Sequence, residues 1–437
     1  MNGKDDYMNR LFRARLSGKK NSQVMVLLVF ALVVLILFLG LAVDLGFAYM
    51  TKANLSKAVD SAVLIGALNL GQGQAVATSL ATNMFYENYR ISARDSTTPV
   101  VNVTFTTDAQ GTSYINVSAT AKPRTFFIGI LPQWKTLTVA TIAQGTRSRA
   151  IICLVLDRSG SMNDNGGAAA MPSAVTNFTS CFDDNRDSVA MVTFATTPAV
   201  DVTMPANPAP FKTAIRTKVL SIFPSLVNGR TFSQGGLTNA LVQIGVANVD
   251  LGENVLKAVV FFTDGKANMI QDTLCSPSML LNFGGHDPGE NQVSFYNPTL
   301  PETDQLNEYC HINDGDKLKQ STCPALINAC KNVSQFYSQA SHAFQSFTRA
   351  NVTADAEYRA IQVANDMRSS TNKIIVYSIG LGTSIDQTFL KQIANDPSAP
   401  GYVPTSYDGK ALIAPTSSQL SATFQAIARE ISLRLTK

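Results

Sequence analysis

The first strong feature of the hydrophobic pattern is an unbroken apolar run from Val24 to Val43, which holds no charged residue. At 1.5 Å per residue, a helix of this length extends about 30 Å and matches the hydrocarbon core of a bilayer. The apolar segment of a secretory signal peptide is shorter, about 7–15 residues, and precedes a small-residue cleavage site. Here Asp44-Leu45-Gly46-Phe47 follows the run instead. We therefore expect a retained transmembrane helix over 24–46, in preference to a cleaved signal peptide or a buried core helix.

Helical spacing continues past this span. Between Leu55 and Gly66 apolar residues recur at steps of three and four, and Ala58, Ala62 and Gly66 form a ridge of small side chains on one face. Such a ridge lets a second helix approach closely, so we expect it to dock against a partner helix. The alternative is an amphipathic helix packed on its own domain. A further helical stretch is predicted over 75–89.

The period changes from helical to alternating after residue 98. Apolar and polar residues alternate over 101–105 and again over 114–119, and the Asp-Ala-Gln-Gly sequence at 108–111 predicts a hairpin turn between the two runs. A third run covers 137–143. These patterns predict a small antiparallel sheet within 98–146.

From residue 149 onward, apolar strands and amphipathic helices alternate. The continuous apolar character of the first strand is typical of a strand buried on both faces of a parallel sheet. The predicted strands are 151–156, 189–194, 255–262 and 374–379, and the predicted helices are about 208–222, 235–248, 353–370, 385–395 and 417–434. This order predicts an α/β fold with a doubly wound, mostly parallel sheet.

One stretch, residues 266–335, interrupts this alternation. It is rich in Asn, Pro, Gly and Asp, and it is too long for a plain connection, so we interpret it as an insertion. It follows the carboxyl end of the predicted strand 255–262, the end at which open α/β sheets bind ligands.

The charge of the chain is concentrated at one end. The 437 residues carry a net charge of +4, and the tail 1–23 alone holds six basic and two acidic residues, so the remainder has equal numbers of both signs. A neutral remainder argues against a nucleic-acid partner. Because basic residues flank the cytoplasmic side of membrane helices, we expect the N-terminus in the cytoplasm and everything after Asp44 outside it.

The cysteines fit an exported chain. There are six, an even number that permits three disulfides: Cys153, Cys181, Cys275, Cys310, Cys323 and Cys330. A zinc site is the competing interpretation, but no Cys-x-x-Cys occurs and the three histidines are scattered singly. Four of the cysteines lie in the insertion, where we expect disulfides of unassigned connectivity.

A group of oxygen donors follows the strand ends. Asp157, Ser159 and Ser161 alternate just past the strand 151–156, and a turn there would let all three converge. Thr231 precedes the helix 235–248, and Asp264 ends the strand 255–262. These hard ligands suit Mg²⁺, with Mn²⁺ or Ca²⁺ as alternatives. Taken alone, Asp-x-Ser-x-Ser also fits a solvated turn or a helix cap.

A catalytic role for the same hydroxyls is less well supported. Ser159 and Ser161 have no histidine partner in any local motif, and the chain contains no Gly-x-Ser-x-Gly elbow. Gly380-Leu381-Gly382 lacks the third glycine of a phosphate-binding loop. We therefore expect a binding protein and not an enzyme, with a secreted hydrolase as a weaker alternative.

Two parts of the chain resemble known families. The five oxygen donors, together with the sequence of 259–265, resemble the metal-ion-dependent adhesion site of a von Willebrand factor A domain, over about residues 149–437. The sequences of 40–46 and 55–62 resemble the N-terminus of TadG-type proteins of the tight-adherence (Tad/Flp) pilus system. TadG-type proteins combine these two parts in one chain.

The resemblance implies a domain order and a location. A cytoplasmic tail (1–23) precedes the transmembrane helix (24–46), a pilin-like helix with antiparallel strands (47–147) and an A domain (148–437) with the cysteine-containing insertion at about 266–335. It implies a bacterial inner (cytoplasmic) membrane protein whose A domain is periplasmic or extracellular.

The resemblance also implies partners. These are pilins or pilus-assembly proteins, bound through an acidic residue that completes the metal site. From the small-residue ridge itself, we expect pilin-like subunits to dock on Ala58, Ala62 and Gly66. The protein would support pilus assembly or anchoring and surface adhesion. The main alternative is a cell-surface adhesin that binds host or matrix ligands with no role in assembly. A eukaryotic receptor is a weaker one, because the Asn-x-Ser/Thr sequons that suggest it occur commonly by chance.

Overall fold

The structure is a computed structural model that describes residues 5–91, 95–107, 113–250, 253–274, 279–285, 291–298, 308–316, 333–383 and 385–435. The chain divides into two compact units. The first comprises Met1–Ala67 and Gln74–Thr146, and the second comprises Leu68–Gly73 and Arg147–Lys437.

The first unit joins a long helix to a small antiparallel sheet. Its elements are α1 (Asp5–Leu68), α2 (Gln74–Asn88), β1 (Val100–Thr107), β2 (Ser113–Ala121) and β3 (Val139–Thr146). The sheet order is β1-β2-β3, and Val117 of β2 lies opposite Val103 on one side and Ala143 on the other. The predicted helix and strands are therefore present, whereas the predicted turn at 108–111 lies outside the described residues.

Within α1, Val24–Leu68 is long and apolar enough to cross a membrane. Apart from the half-buried Val34, the large apolar side chains from Val24 to Leu39 are exposed, as the lipid-facing surface of such a helix would be. Asp44, the acidic residue that directly follows the apolar run, is buried instead, with only 3% of its surface exposed.

The small-residue ridge of α1 is covered by the chain itself. Ala58 and Ala62 are fully buried, and a methyl group on Gly66 would lie 2.3 Å from Ile115 of β2 and 3.2 Å from Ala81 of α2. The expectation that this ridge docks on a partner subunit is therefore wrong. Small residues are needed here because they let α1 lie close to the sheet and to α2 of its own unit.

The second unit is built on a mixed sheet with the strand order β15-β14-β7-β4-β5-β6. Its strands are β4 (Arg149–Asp157), β5 (Ser188–Phe194), β6 (Pro198–Val202), β7 (Val255–Thr263), β14 (Ile374–Leu381) and β15 (Ala411–Ala414). All neighbouring pairs are parallel except β5–β6. Every residue of β4 is buried, as the continuous apolar run predicted.

Helices cover both faces of this sheet. They are α3 (Ser161–Asp164), α4 (Gly167–Ser180), α5 (Lys212–Ile222), α6 (Ser233–Val246), α7 (Arg349–Met367), α8 (Gln387–Ala394) and α9 (Ser417–Leu435). Alternate residues of β4 serve opposite faces: Val155 packs in a core with α6, α7 and α8, while Leu154 packs in a core with α4, α5 and α9. This is the doubly wound α/β architecture that the alternation predicted. Helix α4 was not predicted; its sequence contains Pro172, a residue that usually interrupts a helix.

The insertion forms a second sheet. Its strands are β8 (Met269–Leu274), β9 (Met279–Gly285), β10 (Gln292–Tyr296) and β11 (Glu308–Asn313), followed by the hairpin β12 (Gln335–Ser338) and β13 (Ala343–Ser346). The sheet order is β11-β10-β9-β8, and neighbouring strands are antiparallel. Phe283 and Phe295 share the hydrophobic core that contains α6 and α7. The insertion therefore enlarges the core of the second unit.

Two of the cysteines correct the expectation of three disulfides. Cys153 and Cys181 are free thiols. Cys153 lies in the middle of β4 in one core, and Cys181 ends α4 against the other, so the sheet separates them. Cys310 is disulfide-bonded. Cys275, Cys323 and Cys330 lie outside the described residues, so the pairing within the insertion stays a prediction.

Candidate metal centre

The loop after β4 lies at the carboxyl edge of the sheet, where the parallel strands β4, β5 and β7 all end. Its backbone is fixed by the neighbouring connections. Arg158 N donates to Phe194 O at 3.0 Å, and Gly160 N donates to Gly229 O at 3.2 Å. The parallel sheet thus brings together loops that are far apart in the sequence.

The Asp-x-Ser-x-Ser segment makes a tight turn in this loop. Ser159 N donates to Asp157 Oδ1 at 2.7 Å, and the hydroxyl oxygens of Ser159 and Ser161 are 3.2 Å apart. Ser161 begins the short helix α3. The turn therefore directs the two hydroxyls to one point, as the alternation of the sequence predicted.

Asp264 joins this cluster from the end of β7. Ser161 Oγ donates to Asp264 Oδ1 at 2.8 Å. Adjacent oxygen ligands of an octahedral Mg²⁺, with bonds of about 2.1 Å, lie about 3 Å apart. The spacings between the Ser159, Ser161 and Asp264 oxygens are close to this value.

Thr231 borders the same space from the connection before α6. A methyl group on Gly265 would lie 3.7 Å from Ser161 Oγ and 4.0 Å from Thr231 Oγ1, so both hydroxyls face the position that this glycine leaves open. The Thr231 backbone is held by Asn268, whose Oδ1 accepts from Thr231 N at 2.8 Å and whose N donates to Thr231 O at 3.1 Å. All five predicted ligands therefore meet at one sheet edge.

The two carboxylates of the cluster are buried, and Asp264 repels Asp157. Asp157 is fully buried and Asp264 is 7% exposed. Burial raises the pKa of Asp157 above its usual range, and repulsion by Asp264 raises it further. Burial also raises the pKa of Asp264, against the opposing effect of hydrogen bonds from Asn165 and Ser161. A cation bound between these two acids would favour their ionised forms.

Three further residues orient the donors, and none of them is among the five predicted ligands. Thr263 Oγ1 donates to Asp157 Oδ2 at 2.6 Å, Asn165 Nδ2 donates to Asp264 Oδ2 at 3.0 Å, and Asn268 holds Thr231 as described above. Thr263 and Asn165 could have been found from the sequence, because each is a polar residue within four residues of a predicted ligand. Asn268 lies four residues after Asp264, so it has the same kind of signal, at the start of the insertion.

The insertion supports the Thr231 loop from one side. Arg230 Nε donates to the hydroxyl of Tyr296 on β10 at 3.2 Å, and Phe232 packs with Met269 and Tyr296. The insertion thus fixes the position of the connection that carries Thr231.

The donor set fits a hard divalent ion. It combines two carboxylates with three hydroxyls, which are hard oxygen ligands of the kind that Mg²⁺ prefers, and it includes neither histidine nor cysteine, the usual ligands of structural zinc. Within the part of the chain that the structure describes, no group of three or more His, Cys, Asp or Glu side chains is placed to hold a metal. A metal here would therefore depend on the hydroxyls and on water for most of its ligands.

Two family models match this chain. Residues 23–69 match the model described as putative Flp pilus-assembly TadE/G-like, and residues 152–266 match the von Willebrand factor type A domain. The chain thus combines a TadE/G-like segment with an A domain, the combination of a TadG-type protein with an A domain. No curated protein matches the chain.

Several solved structures are similar at low identity. Proximal thread matrix protein 1 from the mussel byssus, with a zinc-occupied MIDAS motif, is 16% identical; the match covers 65% of this chain and 46% of that one, with a TM-score of 0.35. This chain thus spans less than half of the length of that protein. The von Willebrand factor domain of the type V pili tip protein Mfa5 from Porphyromonas gingivalis is 15% identical, with coverages of 67% and 98% and a TM-score of 0.38. A mutant of the PilB minor pilin from Streptococcus sanguinis is also 15% identical, with coverages of 79% and 81% and a TM-score of 0.38.

Proposed function

We propose that this chain is a membrane-anchored, metal-dependent protein-binding component of a bacterial Tad/Flp-type pilus system, where it supports pilus assembly or anchoring and surface adhesion. The observation that carries the proposal is the convergence of the Asp157, Ser159, Ser161, Thr231 and Asp264 oxygens in a chain that also has a TadE/G-like helix. The function is binding and not catalysis.

The proposed ion is Mg²⁺, with Mn²⁺ or Ca²⁺ as alternatives. Ser159 and Ser161 would coordinate it through their hydroxyls, while Asp157, Thr231 and Asp264 would bind it directly or through water. When bound, the ion supplies a local positive charge that attracts a carboxylate of the partner. The residues of this chain orient the donors: Thr263 and Asn165 hold the two carboxylates, and Asn268 holds the Thr231 loop.

The proposed location is the bacterial inner (cytoplasmic) membrane. The basic tail 1–23 next to the apolar run supports a cytoplasmic N-terminus. The A domain is then periplasmic or extracellular, where it meets pilins or pilus-assembly proteins through an acidic residue of theirs.

Metal binding is tested by isothermal titration of the detergent-solubilised full chain with Mg²⁺ and Mn²⁺. We expect saturable binding that is lost in Asp157→Ala and in Asp264→Ala. Asp366→Ala is the matched control, because Asp366 is an exposed acid on α7 of the same unit. Equal binding by Asp157→Ala and the control would refute the metal site.

The role in the pilus system is tested by a deletion strain complemented with the wild-type chain, with Asp157→Ala or with Asp366→Ala. We expect pili and attachment to be restored by the wild type and the control but not by Asp157→Ala. If pili form without the chain and only attachment is lost, the assembly role is wrong and the adhesin alternative is supported.

A further inference from the structure

The connection between β2 and β3 carries a cluster of exposed apolar side chains. The exposed fractions are 59% for Phe126, 45% for Phe127, 78% for Ile130, 51% for Leu131 and 48% for Trp134. A concentration of large apolar groups on a protein surface marks a contact with another apolar phase or partner. We call residues 126–134 the apolar segment.

The apolar segment is fastened to α1 at the end of its apolar run. The Asp44 carboxylate accepts from the backbone N–H groups of Phe126, Phe127 and Ile128 at 2.8, 2.9 and 2.8 Å. The Phe127 ring lies so close to Gly40 that a methyl group there would be 2.5 Å from Phe127 Cγ. The attachment therefore covers both sides of the point where the apolar run ends.

This position is the level at which a spanning helix leaves the hydrocarbon. Gly40 lies about 24 Å along the helix from Val24, at 1.5 Å per residue. A bilayer core is about 30 Å thick, so Phe127 packs on α1 within the last part of the core.

Many backbone N–H groups of the apolar segment are hydrogen-bonded within the protein and need no water. Beyond the three N–H groups held by Asp44, Leu131 N donates to Ile128 O at 3.0 Å and Trp134 N donates to Leu131 O at 2.9 Å. Thr125 N also donates to Lys135 O at 3.1 Å, which closes the base of the loop. Paired backbone groups avoid the large cost of unsatisfied donors in lipid.

The flanking charges match a lipid surface. Lys122 and Arg124 precede the apolar segment and Lys135 follows it, and all three are exposed. Tryptophan is enriched at membrane interfaces, and basic side chains beside it contact anionic headgroups.

We propose that the apolar segment inserts into the bilayer interface beside α1, as a second membrane contact that fixes the tilt of the first unit against the membrane. The proposal rests on the membrane anchoring in the proposed function. The ligand is a lipid surface with anionic headgroups.

The test uses the fluorescence of Trp134, the single tryptophan of the chain. The full chain is reconstituted into phosphatidylcholine–phosphatidylglycerol vesicles with and without acyl-chain-brominated lipid. Because bromine quenches tryptophan at short range, we expect a roughly twofold loss of emission for an interfacial tryptophan. An Ile130→Glu/Leu131→Glu double variant is expected to lose most of this quenching. Both side chains are exposed, so the fold is retained, which far-ultraviolet circular dichroism checks.

Two controls separate the possible failures. Ile142→Glu alters an apolar side chain on β3 that is 70% exposed but outside the apolar segment, and it should leave the quenching unchanged. The double variant Trp134→Phe/Phe38→Trp moves the reporter into the apolar run of α1 and tests the span by itself.

Quenching at position 38 without quenching of Trp134 would overturn the proposal, leave the anchoring intact and point to a protein partner for the apolar segment. The absence of quenching at both positions would overturn the proposal together with the membrane anchoring.

Discussion

Two buried acids, one in each unit, end an apolar stretch of sequence and are compensated in different ways. Asp44 follows the apolar run of α1 and accepts three backbone N–H groups. Asp157 ends β4 and accepts from Ser159 N and from the Thr263 hydroxyl, while Asp264 is held close by. The negative charge of Asp44 is thus stabilised by backbone donors of its own unit, whereas Asp157 lies close to a second carboxylate, Asp264, that repels it.

The difference explains what each acid can do. A carboxylate that accepts hydrogen bonds from the backbone holds that stretch of chain in place, because leaving those buried N–H groups without an acceptor costs free energy. A pair of buried carboxylates repel each other, and a cation relieves both the repulsion and the burial. The same residue type therefore fastens a loop in the first unit and forms a candidate binding site in the second.

The largest expected effect is from Asp44→Ala. It leaves the N–H groups of Phe126, Phe127 and Ile128 without their acceptor. We expect this to destabilise the closed form of the loop by about 3 kcal/mol in total. We expect trypsin to cleave the solubilised chain after Arg124 or Lys135 roughly a hundredfold faster than the wild type. Asp60→Ala, an exposed acid on the same helix, is the control. Equal cleavage rates would show that Asp44 does not fasten the loop.

The next largest effect is expected from Asp157→Asn, whose effect on the free energy of unfolding should change sign when the metal is added. In chelator the amide removes the repulsion by Asp264, so we expect the variant to be about 1 kcal/mol more stable than the wild type. At Mg²⁺ near 100 times its Kd the wild type gains about 2.7 kcal/mol, and the variant gains little. Thermal unfolding with chelator and with Mg²⁺ measures both. If the variant is less stable than the wild type under both conditions, repulsion between Asp157 and Asp264 does not destabilise the metal-free protein, and Asp157 is a structural acid like Asp44.

A smaller effect is expected from Thr263→Val, which removes the donor to Asp157 Oδ2 and leaves the ligands in place. Residues that orient metal ligands typically change affinity by about 10–100-fold, so Mg²⁺ affinity should fall by about tenfold. Thr238→Val on the exposed face of α6 is the matched control. Titration calorimetry distinguishes the two, and unchanged affinity in Thr263→Val would mean that Asp157 is oriented without it.

The smallest effect is expected at a third acid, Glu357 on α7. Unlike Asp44 it is not held by a set of backbone N–H donors among the described residues, and unlike Asp157 it is not part of the candidate metal site. Its Oε1 is buried and has no hydrogen-bond partner among the described residues. Burial, with repulsion by Asp386, raises its pKa from 4.5 to about 7. The protonated acid is favoured in the folded state, so stability falls as pH rises from about 4.5 to about 7.

Solvent screening limits this loss to about 1 kcal/mol. Glu357→Gln should remove it, and unfolding measured at pH 5 and pH 8 compares the two proteins. The same pH dependence in Glu357→Gln would assign the loss to another group.

Much of the fold was predictable because it depends on local periodicity. The apolar run of α1, the alternation of β1–β3 and the continuous apolar strands β4, β5, β7 and β14 are each recorded in neighbouring residues. The strands β6 and β15 at the sheet edges were not predicted, since they are short and half-exposed. The added sheet was recognised only as an interruption, because its apolar residues are spread among many turn residues.

The sequence by itself determined the membrane-length helix, the α/β order of the second unit and the five candidate oxygen donors. Only the tertiary structure decided which of these groups meet and what surrounds them. It covers the ridge of Ala58, Ala62 and Gly66 with the chain's own β2 and α2, and it keeps Cys153 and Cys181 as free thiols. It also connects Asp44 to backbone groups 82–84 residues away. Contacts over such distances depend on how the elements pack together, which no local period of polar and apolar residues encodes.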